Sequence, residues 1–287
     1  MSNAPAVEID AEHLREWIGR EDVATDVVSA DLVAKFNATF DVDGPFPAKG
    51  DIAPRFIHFC LTQAIQPMSR LGRDGHPERG GFMPPVLLPR RMRAGGSVHF
   101  HDDLRVGDAL TRTARIADVA VKEGKSGALC FVTVENRIAV AGRPVLTETE
   151  DIVYRPDGGP SGPGKTPPAA APGNWIRGQP VSPTLLFRYS AITFNGHRIH
   201  YDRRYAVEVE GYPGLVVHGP IQTTLLYRYA ADLRGTPPAR FRFRSLSPLF
   251  DDDAISLHAE ETTDGGLKVW TAREGGPVAT FGEADWN

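Results

Sequence analysis

Residues 219–233 have the sequence GPIQTTLLYRYAADL, and this stretch decides which fold the chain can adopt. Its apolar side chains recur at the spacing of an amphipathic helix, namely Ile221, Leu225, Leu226, Tyr229, Ala230 and Leu233. The Gly219-Pro220 step suits a helix start, while Gly235 and Pro237 are typical stop signals. The sequence therefore predicts one long helix over residues 219–233.

Strand patterns follow this helix. The predicted strands cover residues 240–245, 254–261, 267–271 and 278–281. In the first of them, three arginines alternate with Phe241 and Phe243, as the two faces of a strand require. Such an alternation is typical of a solvated strand face, although Arg240, Arg242 and Arg244 could also hold the phosphate groups of a ligand.

The first half of the chain shows the same order of patterns. Its apolar residues predict a long helix over residues 53–71, kinked near its end by Pro67. Strands are predicted at residues 98–104, 109–121, 128–140 and 145–154, with a turn at residues 105–108. A helix that is apolar over most of its circumference needs a partner that surrounds it, and these strands can supply it.

A stretch rich in proline separates the halves, with eight prolines between Pro156 and Pro183. The sequence thus predicts an N-terminal domain over residues 1–156, a linker over 157–183 and a C-terminal domain over 184–287. Helix followed by strands, twice and without β-α-β alternation, favours α+β domains with antiparallel sheets.

Composition narrows the class of protein. The net charge of -4 over 287 residues gives no broad basic field, so a nucleic-acid partner is not expected. No apolar stretch approaches the length needed to span a bilayer, and we expect a cytoplasmic protein without a membrane partner. Cys60 and Cys130 lie among apolar neighbours, which predicts buried, reduced thiols.

The densest polar run is residues 194–202, FNGHRIHYD, followed by residues 212–220, YPGLVVHGP. Together these segments hold three of the nine histidines. The second segment opens the long helix, whose first backbone N–H groups can stabilise a developing oxyanion. A nearby histidine and carboxamide would complete a proton-transfer site. An enoyl thioester needs this combination, because its carbonyl must be polarised while water attacks Cβ.

Residues 195–202 resemble the MaoC-type, R-specific enoyl-CoA hydratase motif D-x-N-P-[LI]-H-x-D, and residues 217–219 resemble its glycine-bearing helix start. Residues 82–96 and 151–155 resemble the N-terminal half of a branch that includes mesaconyl-CoA hydratases and 3-hydroxyacyl-thioester dehydratases. The resemblance implies an α+β double hotdog, two fused domains that each wrap a sheet around a long helix. It also implies a hydro-lyase that acts on small branched or dicarboxylic enoyl-CoA thioesters of the mesaconyl-CoA or itaconyl-CoA type.

Carried over by position, the resemblance places the catalytic histidine at His200 and the oxyanion-hole glycine at Gly219. Asn195 stands where the motif has aspartate, and an amide cannot exchange protons at ordinary pH. We therefore expect Asn195 to position the water or substrate while His200 transfers the proton. Three alternatives stay open: a dehydratase of fatty-acid synthesis, a hotdog thioesterase and a non-catalytic acyl-CoA binding module.

Further site residues are expected around this motif. His197 and His218 are candidates for contact with the substrate, as are three arginines that the proline- and glycine-rich pattern places in a loop, Arg90, Arg91 and Arg93. A metal site built from His197, His200, His218 and Asp202 is the less favoured alternative. No metal or cofactor is expected, because CoA is part of the substrate. The N-terminal half is expected to shape the acyl or CoA tunnel without catalytic residues, and a homodimer is left open.

Overall fold

The computed structural model describes residues 9–78, 81–124, 127–156 and 167–287. The strands are β1 (Glu21–Val27), β2 (Arg90–Phe100), β3 (Ala109–Gly124), β4 (Gly127–Val140), β5 (Arg143–Arg155), β6 (Trp175–Gln179), β7 (Arg240–Ser245), β8 (Ile255–Glu261), β9 (Leu267–Arg273) and β10 (Val278–Asp285). The α-helices are α1 (Ala11–Arg15), α2 (Ala30–Thr39), α3 (Pro183–Ile192) and α4 (Gly219–Arg234).

All ten strands form one sheet in the order β1-β3-β4-β5-β2-β7-β10-β9-β8-β6. Every pairing between them is antiparallel. The five strands of each half are contiguous, and the halves meet where β2 pairs with β7. Gly95 allows this junction, because a Cβ there would lie 2.6 Å from the Phe243 backbone oxygen of β7. At Gly96 a Cβ would lie 2.2 Å from the Thr149 backbone oxygen of β5, on the other side of β2.

The C-terminal half has the predicted arrangement. The long helix is confirmed as the 16-residue α4, which ends at Gly235 with a left-handed φ of 71°. Most of its side chains are buried against the sheet, as are Phe241 and Phe243 of β7. The alternation of β7 is confirmed too, because Arg240, Arg242 and Arg244 are exposed.

The N-terminal half differs from the prediction. The helix expected over residues 53–71 is wrong, since this stretch forms only two short 3₁₀ turns, at Ile57–Cys60 and Met68–Arg70. Phe56 and Thr62 adopt left-handed φ angles of 71° and 52°, which an α-helix cannot contain, and Pro54 and Pro67 lie beside the turns. Phe56, Ile57, Phe59, Cys60 and Leu61 are nevertheless buried, whereas Ile65 and Met68 are exposed. The sequence pattern identified a core segment but assigned it the wrong backbone.

The strand predictions are confirmed for β3, β4, β5 and β7 to β10, with shifts at their ends. Strand β1 and helices α2 and α3 were not predicted. Part of the predicted linker is strand β6, which pairs with β8, while residues 157–166 lie outside the described residues. Strand β2 begins at Arg90 rather than residue 98, so Arg90, Arg91 and Arg93 lie on a strand and the expected loop is wrong.

Both cysteines are free and buried, as predicted. Burial raises the pKa of Cys60 to about 12 and that of Cys130 to about 11, so both are neutral thiols. Among the described residues, no helix is both long enough and apolar enough to cross a membrane.

Candidate active site

The segment that carries the motif is shaped by the end of α3. The Thr193 hydroxyl donates to the backbone oxygen of Tyr189 at 2.6 Å, and Phe194 then turns the chain with a left-handed φ of 49°. The backbone N–H of Asn195 donates to the backbone oxygen of Ser190 at 2.9 Å. The side-chain Oδ1 of Asn195 accepts a hydrogen bond from the His197 N–H, also at 2.9 Å. Asn195 thus closes a local turn, which occupies one lone pair of its carbonyl oxygen.

His200 ends the 3₁₀ turn Arg198–His200 and is buried. Its Nδ1–H donates to the Val216 oxygen at 2.7 Å, while the Val216 N–H donates to the Ile199 oxygen at 3.0 Å. These two bonds fix the motif segment to the strand-like segment before α4. Because Nδ1 carries the hydrogen, the lone pair of the neutral ring lies on Nε2. His200 is therefore oriented as a proton acceptor.

The protonation of His200 follows from its surroundings. Burial lowers the pKa of His200 to about 4, although the bond to the Val216 oxygen partly opposes this, and the charge of His76 lowers it further. At neutral pH the ring is uncharged and can take a proton from water. This is the protonation state that a general base requires.

His218 packs directly on this ring. The two imidazoles are stacked, with centroids 3.6 Å apart and planes inclined by 16°. The Nε2 atom of His218 is 2.9 Å from the Ser190 hydroxyl, and its ring contacts Tyr189. Burial holds the pKa of His218 well below its ordinary value, and the charges of His200 and His197 lower it further. His218 is thus a neutral residue at the start of α4 that packs on His200.

The start of α4 lies next to these rings. His218 occupies the N-cap position without a side-chain cap, and the first helical hydrogen bond runs from the Gln222 N–H to the His218 oxygen. The N–H groups of Gly219 and Ile221 precede that bond, and Pro220 has none. A Cβ on Gly219 would make an ordinary van der Waals contact, 3.7 Å from the Ser245 hydroxyl, and the glycine leaves that volume beside these donors unfilled. An oxyanion could be accommodated there.

His197 extends the group toward the N-terminal half. Its ring centroid is 5.3 Å from that of His200 and 4.1 Å from that of His76. The pKa of His197 is lowered to about 2. Burial is the largest cause, and the charges of His76, His200 and Arg91 lower the pKa further. The structure therefore brings together five of the residues considered for the site, His197, His200, His218, Gly219 and Asn195, whose roles remain predictions.

Asp74 and His76 were missed by sequence reasoning. Both belong to the N-terminal half, yet they lie with His197 in a group whose ligand-type atoms are all within 4.8 Å of one another. They are more than 100 positions away from His197 in the chain, so no local spacing connects them. The available signal was the glycine-containing run GRDGHP at residues 72–77, which is typical of a sharp turn that presents polar side chains.

The predicted arginines divide into two groups. Arg93 is engaged in a buried cluster, with Glu150 Oε1 and Glu148 Oε1 each 2.9 Å from its guanidinium. Arg90 is 3.6 Å from the Glu210 carboxylate. Arg91 lies near enough to His197 for its charge to lower the pKa of that ring.

The cluster around Arg93 carries further buried polar groups. Glu148 accepts from the Asn136 amide at 3.3 Å, and its carboxylate is 3.9 Å from His58 Nε2. Burial raises the pKa of Glu148 to about 7 despite the opposing charge of Arg93, while burial and Arg93 lower the pKa of His58 to about 3. The N-terminal half thus buries charge close to where the C-terminal half buries neutral imidazoles.

The metal alternative finds little support at the residues first considered. Asp202 instead binds the Arg198 guanidinium at 2.8 Å and accepts the Tyr205 N–H at 3.0 Å, so it acts within its own turn. Asp74, His76 and His197 form a different group that could hold a metal ion. His197 is the one member shared with the predicted set.

Comparison with known proteins identifies relatives along most of the chain. The family profile described as "Hydroxyacyl-thioester dehydratase type 2" matches residues 56–251. A mesaconyl-C(4)-CoA hydratase of Chloroflexus aurantiacus is 44% identical over 251 residues, which cover 86% of this chain and 89% of the relative. A mitochondrial hydroxyacyl-thioester dehydratase type 2 of Schizosaccharomyces pombe is 39% identical over 87 residues, or 28% of each chain.

Solved structures support the fold. A MaoC-like dehydratase from Phytophthora capsici superimposes with a TM-score of 0.70 at 16% identity, covering 97% of this chain and 99% of the other. A Mycobacterium tuberculosis protein described as a double hotdog gives 0.57 at 15% identity, covering 93% and 95%. The architecture is a double hotdog with an unequal pair of halves. Because the profile and the Chloroflexus relative both match most of its length, the chain belongs to the hydroxyacyl-thioester dehydratase type 2 family.

Proposed function

We propose that this protein adds or removes water across the α,β double bond of a small branched or dicarboxylic enoyl-CoA, of the mesaconyl-CoA or itaconyl-CoA type. The observation that carries the proposal is the placement of His200 beside the start of α4. His200 is a neutral base whose lone pair lies on Nε2, and the N–H groups of Gly219 and Ile221 precede the first hydrogen bond of the helix. The activity of the Chloroflexus relative supports the choice of substrate.

In the hydration direction, His200 Nε2 takes one proton from water as the water oxygen bonds to Cβ. The π-electron pair moves toward Cα, and negative charge develops on the thioester oxygen. The N–H groups of Gly219 and Ile221 stabilise that oxygen. His200 then returns the proton to Cα, so the atoms of one water molecule are added in total and no other proton donor is needed.

The dicarboxylic part of the proposal requires a cation near Cβ, because mesaconyl-type acyl groups carry a free carboxylate. Arg91 is the candidate, since it lies near His197 while Arg93 is engaged by Glu148 and Glu150. Arg90 and Arg93 are assigned to the walls of the acyl or CoA tunnel. The proposal retains the expectations of a cytoplasmic protein that needs no cofactor, and it is compatible with a homodimer.

A second candidate is a 3-hydroxyacyl-thioester dehydratase of fatty-acid synthesis, which the family description and the yeast relatives favour. The same groups would then run the reaction in the direction of water loss. The acyl group distinguishes the candidates, because a free carboxylate would promote binding in the first and hinder it in a tunnel built for alkyl chains.

The test is a spectrophotometric assay of the purified protein with mesaconyl-CoA, itaconyl-CoA, crotonyl-CoA and hexenoyl-CoA. We expect loss of enoyl-thioester absorbance, with kcat/KM higher for the dicarboxylic substrates by about tenfold or more, the scale of one charge-assisted contact. Preference for hexenoyl-CoA would support the second candidate. Release of free CoA thiol without loss of the double bond would contradict both and indicate a thioesterase.

A further inference from the structure

Ser245 ends the apolar inner face of β7 at the point where this strand lies beside the start of α4. Phe241 and Phe243 are buried on that face, and strand alternation places the Ser245 side chain on the same side. The Ser245 hydroxyl is 3.7 Å from the position that a Cβ on Gly219 would occupy. The serine therefore faces the volume that the glycine leaves unfilled beside the first N–H groups of α4.

The hydroxyl of Ser245 has no role in holding the fold together. Within the described part of the chain, no hydrogen bond involves this hydroxyl. Ser247, two positions further on and also partly buried, donates its hydroxyl to the Val278 backbone oxygen at 3.0 Å. Two serines of the same segment thus differ, because the second fastens the end of the strand and the first contributes no bond.

The polar neighbours of Ser245 explain why its hydrogen finds no acceptor. Thr280 lies directly opposite Ser245 in the pairing of β7 with β10. The Thr280 hydroxyl donates to Gln222 Oε1 at 2.9 Å, and the Thr271 hydroxyl donates to the same atom at 2.7 Å. A carbonyl oxygen has two lone pairs, so these two bonds fill the acceptor capacity of the Gln222 side chain. The hydroxyl of Ser245 can therefore donate to a ligand.

The start of α4 also contains a buried polar atom that the fold leaves unsatisfied. His218, the N-cap residue, is 1% exposed, and among the described residues its Nδ1 has no hydrogen-bond partner. Buried polar atoms are almost always paired, so an unpaired one indicates a place that a polar group of a ligand completes. This observation is independent of Ser245 and comes from the residue next to Gly219.

We propose that the Ser245 hydroxyl donates a hydrogen bond to the thioester oxygen of the substrate, together with the Gly219 N–H. This inference rests on the proposed hydration. Negative charge develops on that oxygen as the water oxygen bonds to Cβ, so a donor already in place stabilises the transition state more than the bound substrate. The hydroxyl keeps its hydrogen throughout. Ser245 is then a catalytic residue that adds a side-chain donor to the backbone donors of α4.

The first test compares Ser245→Ala, Ser245→Thr and Ser247→Ala in the same enoyl-CoA assay. Loss of one oxyanion donor should lower kcat in Ser245→Ala by roughly 10- to 100-fold, with KM within about threefold of wild type. Threonine keeps the hydroxyl, so Ser245→Thr should retain about tenfold more activity than Ser245→Ala. Ser247→Ala is the matched control, and its kcat and KM should be unchanged.

Thermal stability should show the opposite pattern. Ser245→Ala removes no hydrogen bond of the fold, so its melting temperature should stay within about 1 °C of wild type. Ser247→Ala removes the bond to the Val278 oxygen and should lower the melting temperature by roughly 2 to 4 °C. Wild-type kcat in Ser245→Ala would overturn the inference, as would the same loss of kcat in Ser247→Ala. So would a Ser245→Thr variant that is as slow as Ser245→Ala.

A second measurement does not depend on turnover. Mesaconyl-CoA labelled with ¹³C at the thioester carbonyl is added to His200→Ala, and the isotope-shifted carbonyl band is recorded by infrared spectroscopy. We expect this band below its frequency in free solution, and closer to that frequency once Ser245→Ala is added to the same protein. An equal band in the two proteins would overturn the inference even if the kinetics agreed. Wild-type protein that is inactive on every enoyl-CoA would instead contradict the proposed function, and the infrared band would still decide whether Ser245 binds the thioester.

Discussion

The C-terminal five strands pack against the 16-residue α4, whereas the N-terminal five strands pack, among the described residues, against no helix of comparable length. In its place the N-terminal half has the 3₁₀ turn Ile57–Cys60 and the ten-residue α2. The same sheet architecture is therefore filled by a regular helix on one side and by irregular chain on the other.

The two halves also differ in the charge that they bury. His197, His200 and His218 of the C-terminal half are all kept neutral by burial. The N-terminal half buries the ion pairs of Arg93 with Glu148 and Glu150. The neutral imidazole of His200 therefore lies beside the start of α4, whereas the buried ion pairs lie in the half that lacks a long helix.

The largest expected effect tests the C-terminal half. His200→Ala removes the proposed base, and kcat should fall by roughly two to four orders of magnitude while the protein stays folded. His58→Gln is the matching change in the N-terminal half, at a histidine that is equally buried. Steady-state kinetics should show little change in kcat there. Near-equal losses in the two variants would remove the distinction between the halves.

Gly219→Ala should have a smaller effect. A Cβ would make only an ordinary contact, 3.7 Å from the Ser245 hydroxyl, so the melting temperature should stay within about 2 °C of wild type. The methyl group would occupy the space beside the helix N–H groups, and kcat/KM should fall by roughly 10- to 100-fold. Gly178→Ala on β6, where no atom lies within 4 Å of the Cβ position, is the control. Unchanged kcat/KM in Gly219→Ala would place the oxyanion elsewhere.

Stability should depend on pH with opposite contributions from His200 and Glu148. His200 has a pKa of about 4 in the fold against 6.5 when unfolded, so its contribution is present above pH 6.5 and is lost as pH falls toward 4. Glu148 has a pKa of about 7 against 4.5, so its contribution is present below pH 4.5 and is lost as pH rises through 7.

Calorimetry at pH 7.5 and pH 5 measures this difference. The melting temperature should fall by several degrees at pH 5, because the buried histidines outnumber Glu148. The fall should be smaller in His200→Ala and larger in Glu148→Gln. The same fall in all three proteins would show that neither group sets the pH dependence.

The last prediction is that removal of metal ions has no effect on turnover. Incubation with a chelator should leave kcat unchanged, because the proposed mechanism assigns carbonyl polarisation to backbone N–H groups. Activity that is lost with chelator and restored by zinc or iron would assign a metal to Asp74, His76 and His197. The N-terminal half would then supply two of the three side chains that bind the metal ion.

Local pattern predicted the C-terminal half well. The spacing of Ile221 and Leu225, with glycine at each end, defines α4, because a helix that packs on a sheet must follow the 3.6-residue period. The same period misled at residues 53–71, where tertiary contacts bury the side chains of Phe56 and its neighbours without a helix. Up to Leu61 the period identified the buried residues but not their backbone, and at Ile65 it identified neither, since that side chain is exposed.

The candidate site was predictable only in part. His200, Gly219 and Asn195 lie within one stretch of chain, so a motif can identify them. Asp74 and His76 belong to the N-terminal half and come close to His197 only in the folded protein. No spacing pattern in the sequence relates residues so far apart in the chain. The hydrogen bond from Asn195 Oδ1 to the His197 N–H is likewise a property of the folded turn.

The hydrogen-bonded pairing of β2 with β7 has a consequence for how such a protein can evolve. Two identical subunits joined across the same edge must carry every substitution twice, once on each side of the symmetry axis. Covalent fusion removes that constraint, so one copy can keep a helix while the other loses it and gains buried charge. Asymmetry within a single gene therefore lets one copy change its packing and buried charge while the other keeps its own.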